Sequence, residues 1–289
     1  HWMRNAGRQM NIVVIGHGMV GHKFLEQLHA LGVADANVTV LCEEPRAAYD
    51  RVHLSEFFSG KSAEDLSLVA PGFFEASGFT LRLAARAAAV ERRERTVTTA
   101  DGEVIPYDRL VLATGSAPFV PPVPGRDRPH CFVYRTIEDL EAMQASAARS
   151  RTGVVVGGGL LGLECAKALR DLGLETHVVE FAPRLMAVQV DDGGGRVLRS
   201  KIEDLGVQVH TGRNTLEITD GATARHRMVF ADGTHLETDM IVFSAGIRPR
   251  MSPPPGRNCS RWAARCSPSS LPALPLWSAR RCRRAGLPC

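Results

Sequence analysis

Two glycine clusters are the parts of this 289-residue sequence whose residue types and spacing could support chemistry. Each has glycine at its first, third and sixth positions: Gly16, Gly18 and Gly21 in the first cluster, and Gly157, Gly159 and Gly162 in the second. The first glycine of such a loop permits a tight turn, the second lets the backbone approach a pyrophosphate group, and the third allows a helix to pack closely on a strand. The spacing therefore predicts two loops that could hold phosphate groups.

The flanking segments supply the strand and the helix that each loop requires. A β-branched run, Asn11–Ile15, leads into the first cluster, apolar residues at helical spacing follow it to about Leu31, and Val38–Cys42 predicts the next strand. The second cluster repeats this order, with a strand at Gly153–Val156 and another at Thr176–Glu180. Because the copies lie about 140 residues apart, too far for a solenoid repeat, they predict two dinucleotide-binding folds produced by duplication of a domain.

Acidic residues follow the second strand of each copy. Glu43 and Glu44 end the first such strand and Glu180 ends the second. A carboxylate there can accept hydrogen bonds from an adenosine ribose, which favours NADH, whereas the 2′-phosphate of NADPH would require a nearby arginine. Arg184 follows Glu180 closely, so NADPH stays an alternative. Two nicotinamide sites are conceivable, but one flavin and one nicotinamide nucleotide is the more economical interpretation.

The rest of the pattern predicts an α/β protein with two Rossmann-like domains. Short strands are expected between residues 80 and 114, and Asp101-Gly102 and Asp232-Gly233 are typical of hairpin turns. Prolines between positions 118 and 124 break regular structure. We therefore expect a leader over 1–9, a first dinucleotide-binding domain over 10–118, a second over 119–250, and an aberrant tail over 251–289.

The charge balance sets the tail apart. The chain has 35 basic and 31 acidic residues, but 251–289 holds seven arginines and no acid, which leaves 28 basic against 31 acidic residues, or −3, in 1–250. Such a body gives little support to nucleic-acid binding. The sequence shows neither a membrane-length apolar run nor a signal peptide, and three scattered cysteines in 1–250 fit a reducing cytoplasm. We also expect no metal site in 1–250, because no Cys/His spacing there is typical of one.

Several longer segments resemble one family of flavoproteins. Tyr107–Gly115 and Ser244–Pro249 resemble the segments that close the two nucleotide-binding parts of two-dinucleotide flavoprotein reductases, within the pyridine nucleotide-disulfide oxidoreductase-like proteins. A more specific likeness is to the N-terminal module of the large subunit of assimilatory NAD(P)H-nitrite reductase, and it is carried by Glu43–Phe58, Phe132–Leu140, Gly157–Glu164 and Val179–Pro183. The resemblance runs in register from about Met10 to Arg250.

This resemblance implies that 10–118 is the first part of an FAD-binding domain and that 119–250 is an NAD(P)H-binding domain, with FAD in the first and NADH in the second. By position, FAD would contact Gly16, Gly18, Gly21, Glu43 or Glu44, Arg51, Thr114 and Gly115, and NADH would contact Gly157, Gly159, Gly162 and Glu180. Glu164, on the first turn of the second helix, would lie close to the nicotinamide, or would only complement the helix dipole. Relatives place a lysine near the flavin shortly after the Tyr-x-Arg segment, where this chain has Glu56.

The implied reaction is hydride transfer from NADH to FAD, for which positioning of the two rings is most of the catalysis and no acid–base residue is demanded. Pro45–Gly60 contains no cysteine pair of the kind that disulfide reductases of this architecture carry. Electrons would therefore leave this module for siroheme and iron–sulfur domains further along the family's chain, or for a small subunit. The resemblance implies that nitrite becomes ammonium at the siroheme. His17 and His53 are interpreted as packing or surface residues rather than ligands.

The tail shows none of those later domains. Its high content of Pro, Arg, Ser and Cys is typical of an off-frame reading of a GC-rich gene, so we expect a change of reading frame near codon 250. A basic nucleic-acid-binding arm and a zinc site on its four cysteines are lesser alternatives, because lysine is absent and the cysteine spacing matches no short zinc motif. For this chain alone we expect at most a diaphorase activity. The alternatives are a stand-alone ferredoxin- or rubredoxin-type reductase and an inactive truncated fragment.

Overall fold

The computed structural model describes residues 9–33 and 35–250 of the chain. Both the expected tail, 251–289, and residues 1–8 of the expected leader lie outside the described residues. The elements that carry the two glycine clusters lie within the described ranges.

The first apolar run forms the centre of a four-stranded parallel sheet in the order β3-β2-β1-β7. Its strands are β1 (Met10–Ile15), β2 (Ala36–Leu41), β3 (Thr80–Arg82) and β7 (Arg109–Leu112), and helix α1 (Met19–Ala30) links β1 to β2. Residues of β1 are buried alternately on both faces, as a continuous β-branched run predicts. Val14 packs with Leu25 of α1 and with Val40, whereas Val13 packs on the opposite face.

Three short antiparallel strands cover that opposite face. They are β4 (Ala87–Glu91), β5 (Thr96–Thr99) and β6 (Val104–Pro106), with Val97 fully buried against Val13 and Leu41. The hairpin predicted at Asp101-Gly102 is confirmed, since Gly102 has the positive φ of 93° that such a turn needs. The other face carries α1 and a short helix, α2 (Phe73–Ser77).

The second apolar run forms a five-stranded parallel sheet in the order β12-β11-β10-β16-β9. Helices and an antiparallel ribbon cover its two faces. The strands are β9 (Cys131–Val133), β10 (Thr152–Val156), β11 (Glu175–Val179), β12 (Val207–His210) and β16 (Met240–Phe243). The helices are α3 (Ile137–Ala147), α4 (Leu160–Asp171) and α5 (Asp192–Asp204), and the ribbon consists of β13 (Thr215–Asp220), β14 (His226–Phe230) and β15 (His235–Thr238).

The two parallel sheets confirm the predicted duplication in detail. In each, the strand that leads into the glycine loop, β1 or β10, lies between the next strand in sequence and a late strand, which creates a switch point at the carboxyl ends. Equivalent aspartates tie the opposite ends: Asp108 Oδ2 accepts the Asn11 amide at 2.9 Å, and Asp239 Oδ2 accepts the Arg151 amide at 2.8 Å. The α/β, two-Rossmann class is therefore confirmed for the described residues.

The segment after β2 departs from a simple two-domain division. Tyr49, Leu54 and Leu66 join the same buried cluster as Leu140 of α3 and Leu169 of α4. A 3-10 helix at Leu54–Ser59 lies against α4 in this contact. The proposed boundary at 118/119 stays a prediction, because chain that precedes it packs directly on elements that follow it.

Two further strands cross between the sheets. Strand β8 (Ser116–Pro118) pairs antiparallel with β17 (Ile247–Pro249), so the chain enters and leaves the second half through adjacent strands. In residues 9–33 and 35–250, none of the helices is both long and apolar enough to cross a membrane.

Candidate functional site

The first glycine of each cluster lies where two strand ends approach most closely. Gly16 has φ +105°, and a Cβ atom there would lie 2.2 Å from the Ala113 carbonyl oxygen. Gly157 has φ +124°, and its Cβ would lie 2.3 Å from the Ser244 carbonyl oxygen. A side chain at either position would separate the strands that form the switch point, so both loops require glycine for the same steric reason.

The third glycine of each cluster brings the helix onto the loop. A Cβ atom on Gly21 would lie 2.3 Å from the Gly16 carbonyl oxygen, and one on Gly162 would lie 2.0 Å from the Gly157 carbonyl oxygen. Since these neighbours are backbone atoms, no rotamer change could relieve the clash. The third glycine therefore sets how closely α1 and α4 approach their strands.

The second glycine of each cluster faces open space and occupies the N-cap position of its helix. Nothing lies within 4 Å of a Cβ built on Gly18 or Gly159. Neither residue gives its helix a side-chain cap, whereas α3 is capped by Thr136 and α5 by Asp191. A helix N-terminus has unpaired amides and partial positive charge, so α1 and α4 each present an accessible, uncapped end suited to a phosphate group.

Glu180 is held against the second loop. Its carboxylate accepts the Gly158 amide at 2.5 Å and the Ala182 amide at 2.7 Å. A Cβ on Gly158 would lie 3.0 Å from Oε2 of Glu180, so the middle glycine makes room for this carboxylate. Arg184 is already occupied, because it donates to Asp192 Oδ1 at 2.8 Å and to the Val190 carbonyl at 3.0 Å.

The two candidate acids after β2 have different partners. Glu44 accepts the Tyr49 hydroxyl at 2.7 Å and pairs with Arg51, whose other nitrogen donates to the Arg135 carbonyl at 2.9 Å. Burial, opposed by nearby Arg51, raises the pKa of Tyr49 well above its usual range, so the hydroxyl remains a donor. The structure therefore brings Glu44 and Arg51 together.

Glu43 lies with Thr114 and Gly115 around the last described residue. Arg250 donates to Glu43 Oε2 at 2.5 Å, its carbonyl accepts the Thr114 hydroxyl at 2.6 Å, and its amide donates to the Gly115 carbonyl at 2.9 Å. These residues lie at the ends of β2 and β7, beside Gly16. The predicted residues of the first site thus form two neighbouring groups, one around Arg51 and one around Arg250.

Glu164 lies in a shallow cleft between α4 and the 3-10 helix. The lining residues are Ser55, Glu56, Phe58, Ser59, Glu164, Lys167, Ala168 and Asp171. Glu56 on the opposite wall pairs with Lys61, and Lys167 donates to Asp171 at 2.5 Å. The structure therefore places Glu164 where the two halves meet and gives Glu56 an ammonium partner, neither of which could be read from spacing.

The two histidines lie in different environments. His17 is buried within the first loop, and exposed His53 lies 2.7 Å from Asp50 Oδ2 through its Nδ1. Within the described ranges no group of three or more His, Cys, Asp or Glu side chains is arranged to hold a metal ion. The cysteines of the same ranges, Cys42, Cys131 and Cys165, are free thiols.

Comparison with known proteins places this geometry in a family. The pyridine nucleotide-disulphide oxidoreductase family matches residues 10–257, which is most of the chain. The chain belongs to this family. As a pyridine nucleotide-disulphide oxidoreductase it is related to the NADH nitrite reductase large subunit of Escherichia coli (strain K12), with 55% identity over 244 residues. That match covers 84% of this chain and 29% of the relative, so the oxidoreductase spans under a third of the relative's length.

Solved structures show the same architecture. A ferredoxin reductase from Rhodopseudomonas palustris is 27% identical with a TM-score of 0.77, and the match covers 84% of this oxidoreductase and 60% of that chain. A water-forming NADH oxidase from Lactobacillus brevis, bound to NADH, is 25% identical with a TM-score of 0.77 and has coverages of 84% and 55%. The resemblance to flavoprotein reductases is confirmed by these findings.

Proposed function

We propose that this chain is the NAD(P)H-oxidising flavin module of an assimilatory nitrite reductase large subunit. The observation that carries the proposal is the pair of uncapped helix ends at Gly18 and Gly159, each at a switch point. Each lies between two glycines at which an added Cβ would clash with backbone atoms. One loop holds FAD and the other holds NADH, with NADPH as the weaker substrate. The 55% identity to the E. coli large subunit supports the assignment to nitrite reductase.

The first site is proposed to take FAD because its donor set suits a dinucleotide. The open backbone at Gly18 and the α1 N-terminus would hold the pyrophosphate, and Glu43 or Glu44 would accept hydrogen bonds from the adenosine ribose. The remaining contacts come from the other predicted residues of this site: Gly16, Gly21, Arg51, Thr114 and Gly115. Bound flavin supplies the hydride-accepting ring, and the protein contributes its position.

The second site is proposed to take NADH. Gly159 and the α4 N-terminus would hold its pyrophosphate, while Gly157 and Gly162 keep the strand and helix close. Glu180 is already fixed by two backbone amides, so its carboxylate is placed without further ordering to accept the ribose hydroxyls. The same charge disfavours the 2′-phosphate of NADPH.

Glu164 completes the proposal as a residue near the reacting rings. It lies on the wall of the cleft between the two halves, and among the described residues it has no hydrogen-bond or ion-pair partner. A carboxylate without a partner in such a cleft is available to orient a bound group. Glu164 is not asked to move a proton.

The onward path of the electrons is part of the same proposal. Because this chain spans 29% of the E. coli relative, we place the siroheme and iron–sulfur parts in further domains or in a small subunit of the whole protein. A cytoplasmic location, with neither a nucleic-acid nor a membrane partner, belongs to the same proposal and agrees with the free thiols of Cys42, Cys131 and Cys165.

Absorption spectroscopy tests the proposal. The purified chain, reconstituted with FAD, should show a protein-bound flavin spectrum that bleaches on anaerobic addition of NADH. The Gly159→Ala variant should retain the flavin spectrum but require far more NADH for bleaching. A chain that binds neither FAD nor NADH would refute the proposal and favour an inactive fragment.

A stand-alone ferredoxin-type reductase is the second candidate, and the fold of the R. palustris ferredoxin reductase favours it. The two candidates differ in their electron acceptor. Rapid transfer from NADH through this chain to an added small iron–sulfur protein would support the second candidate. Transfer only to ferricyanide would support the module.

A further inference from the structure

The two glycine loops differ at their second residue, between the first two shared glycines. Where the second loop has Gly158, the first has His17, whose side chain is only 5% exposed. Edge-on contact with Phe74, at 5.5 Å between ring centroids, helps to bury the imidazole. An ionisable side chain inside a phosphate-binding loop needs a reason, because glycine in the equivalent position forms the same turn.

The hydrogen bonds of His17 fix its tautomer. Its Nδ1 lies 3.1 Å from the backbone nitrogen of Ala48, and since an amide can only donate, this ring nitrogen is the acceptor. Its Nε2 therefore carries the proton and points to Nδ1 of His22 at 3.4 Å. His22 in turn directs its Nε2 toward Glu26 Oε1 at 3.8 Å.

The ring remains neutral at ordinary pH. Burial, together with the neighbouring His22, lowers the pKa of His17 to about 4. A neutral imidazole is required for Nδ1 to accept from Ala48, so the environment of the ring preserves this bond.

The segment that His17 holds carries residues of the proposed FAD site. Ala48 is buried and lies between Glu44 and Arg51, next to Tyr49. Its carbonyl also accepts the Leu68 amide at 3.0 Å, so both backbone groups of Ala48 are used. The imidazole is thus a direct link between the pyrophosphate loop and the segment that supplies a carboxylate and a guanidinium.

We infer that His17 is a positioning residue for FAD, which holds the 44–51 segment against the first glycine loop through the Ala48 amide. This inference rests on the proposed function, because it assumes that the first loop binds FAD. It assigns His17 no contact with the reacting atoms.

Three variants of the full chain separate positioning from packing. His17→Leu keeps an apolar group of similar bulk but removes the acceptor. His17→Asn restores an acceptor, because its side-chain oxygen can take the place of Nδ1, whereas the longer amide of His17→Gln extends toward the Nε2 position. The measurements are FAD affinity by quenching of flavin fluorescence, NAD⁺ affinity by calorimetry, and exchange of the Ala48 amide with solvent by NMR.

The expected result is selective. His17→Leu should weaken FAD binding at least tenfold and speed exchange of the Ala48 amide, while NAD⁺ affinity stays within twofold because the second loop is untouched. His17→Asn should recover FAD affinity to within about threefold of wild type. Loss of NAD⁺ binding in His17→Leu would indicate that this variant does not fold. In that case His17→Gln, which also lacks an acceptor at the Nδ1 position, is measured instead and should show the same loss of FAD affinity.

Two outcomes overturn the inference, and they differ from failure of the proposed function. Wild-type FAD affinity in the acceptor-free variant would refute positioning, and so would loss of FAD binding in His17→Asn despite normal NAD⁺ binding. If wild-type chain binds no FAD at all, the proposed function fails and the inference fails with it.

Discussion

Replacing single glycines with alanine in the first loop should separate its structural requirement from its binding requirement. Gly18 and Gly21 lie three residues apart, yet a Cβ atom meets nothing within 4 Å on Gly18 and lies 2.3 Å from the Gly16 carbonyl oxygen on Gly21. The same methyl group thus tests two different functions of one motif.

The expected magnitudes follow from these distances. To bring the new methyl of Gly21→Ala to ordinary contact, α1 must move about 1 Å from its loop, and we expect a loss of about 3 kcal/mol in the free energy of unfolding. Gly18 has φ −98°, which alanine adopts without strain, and its entropy gain in the unfolded chain is opposed by alanine's weakness as an N-cap residue, so Gly18→Ala should change the free energy of unfolding by less than about 1 kcal/mol. Because its methyl fills the space where a pyrophosphate approaches, FAD affinity should fall at least tenfold, or about 1.4 kcal/mol.

Urea unfolding of the apoprotein, followed by circular dichroism, measures the stability change, and fluorescence quenching measures FAD affinity. Gly159→Ala is the matched control, since it makes the same change in the second loop and should weaken NADH while sparing FAD. The reasoning is refuted if Gly18→Ala binds FAD as tightly as wild type, or if it destabilises the apoprotein as much as Gly21→Ala does.

Three further expectations concern single residues. Glu180→Ala should reduce the preference for NADH over NADPH about tenfold, measured as the ratio of kcat/KM values in ferricyanide reduction; an unchanged ratio would show that Glu180 does not meet the ribose. His17 has a pKa of about 4 when folded and 6.5 as its ordinary value, so on acidification the unfolded chain binds the proton first and the free energy of unfolding falls as the pH is lowered. We expect a loss of about 2 kcal/mol from pH 7 to pH 5 in urea titrations, and we expect His17→Asn to lack it. Thr136→Ala removes the capping box of α3 and should lower the free energy of unfolding by about 1 kcal/mol while leaving both nucleotide affinities unchanged. A fall in either affinity would contradict the proposal that only the uncapped helix ends bind nucleotides.

Local sequence patterns sufficed for the parts of the fold that depend on local chemistry. The β-branched run before Gly16 predicted a strand buried on both faces, and Asp101-Gly102 predicted its hairpin, because each signal resides in adjacent residues. The roles of Gly16 and Gly21 were likewise readable from spacing, and the distances to Ala113 and Gly16 confirm the close approaches.

The packing of the segment after β2 could not be predicted in this way. Arg51 donates to the carbonyl of Arg135, 84 residues away, and Leu54 packs in the cluster that contains Leu169. Such contacts depend on how the two halves pack against each other, and the periodicity of the sequence carries no information about that packing. The resemblance to flavoprotein reductases named Arg51 and Glu44 as site residues, but only the structure shows that they pair with each other.

The differences between the two copies argue that they serve two different dinucleotides. The amides of Gly16 and Gly157 bond to equivalent strand ends, at Leu41 and Val179, so Cys42 and Glu180 occupy corresponding positions. In the second copy the Glu180 carboxylate lies over Gly158, whereas in the first the imidazole of His17 fills the loop and the acids come one and two residues later.

Both copies keep the first and sixth glycines, which close packing requires, and the third glycine, which faces open space, whereas the second residue differs. A histidine at position 158 would meet Leu185 and the Glu180 carboxylate, because even a Cβ atom there lies 2.6 Å from Leu185 Cδ2 and 3.0 Å from Glu180 Oε2. The second residue of each loop therefore constrains where the acid can lie, and under the proposed function this difference would let one scaffold hold two different dinucleotides.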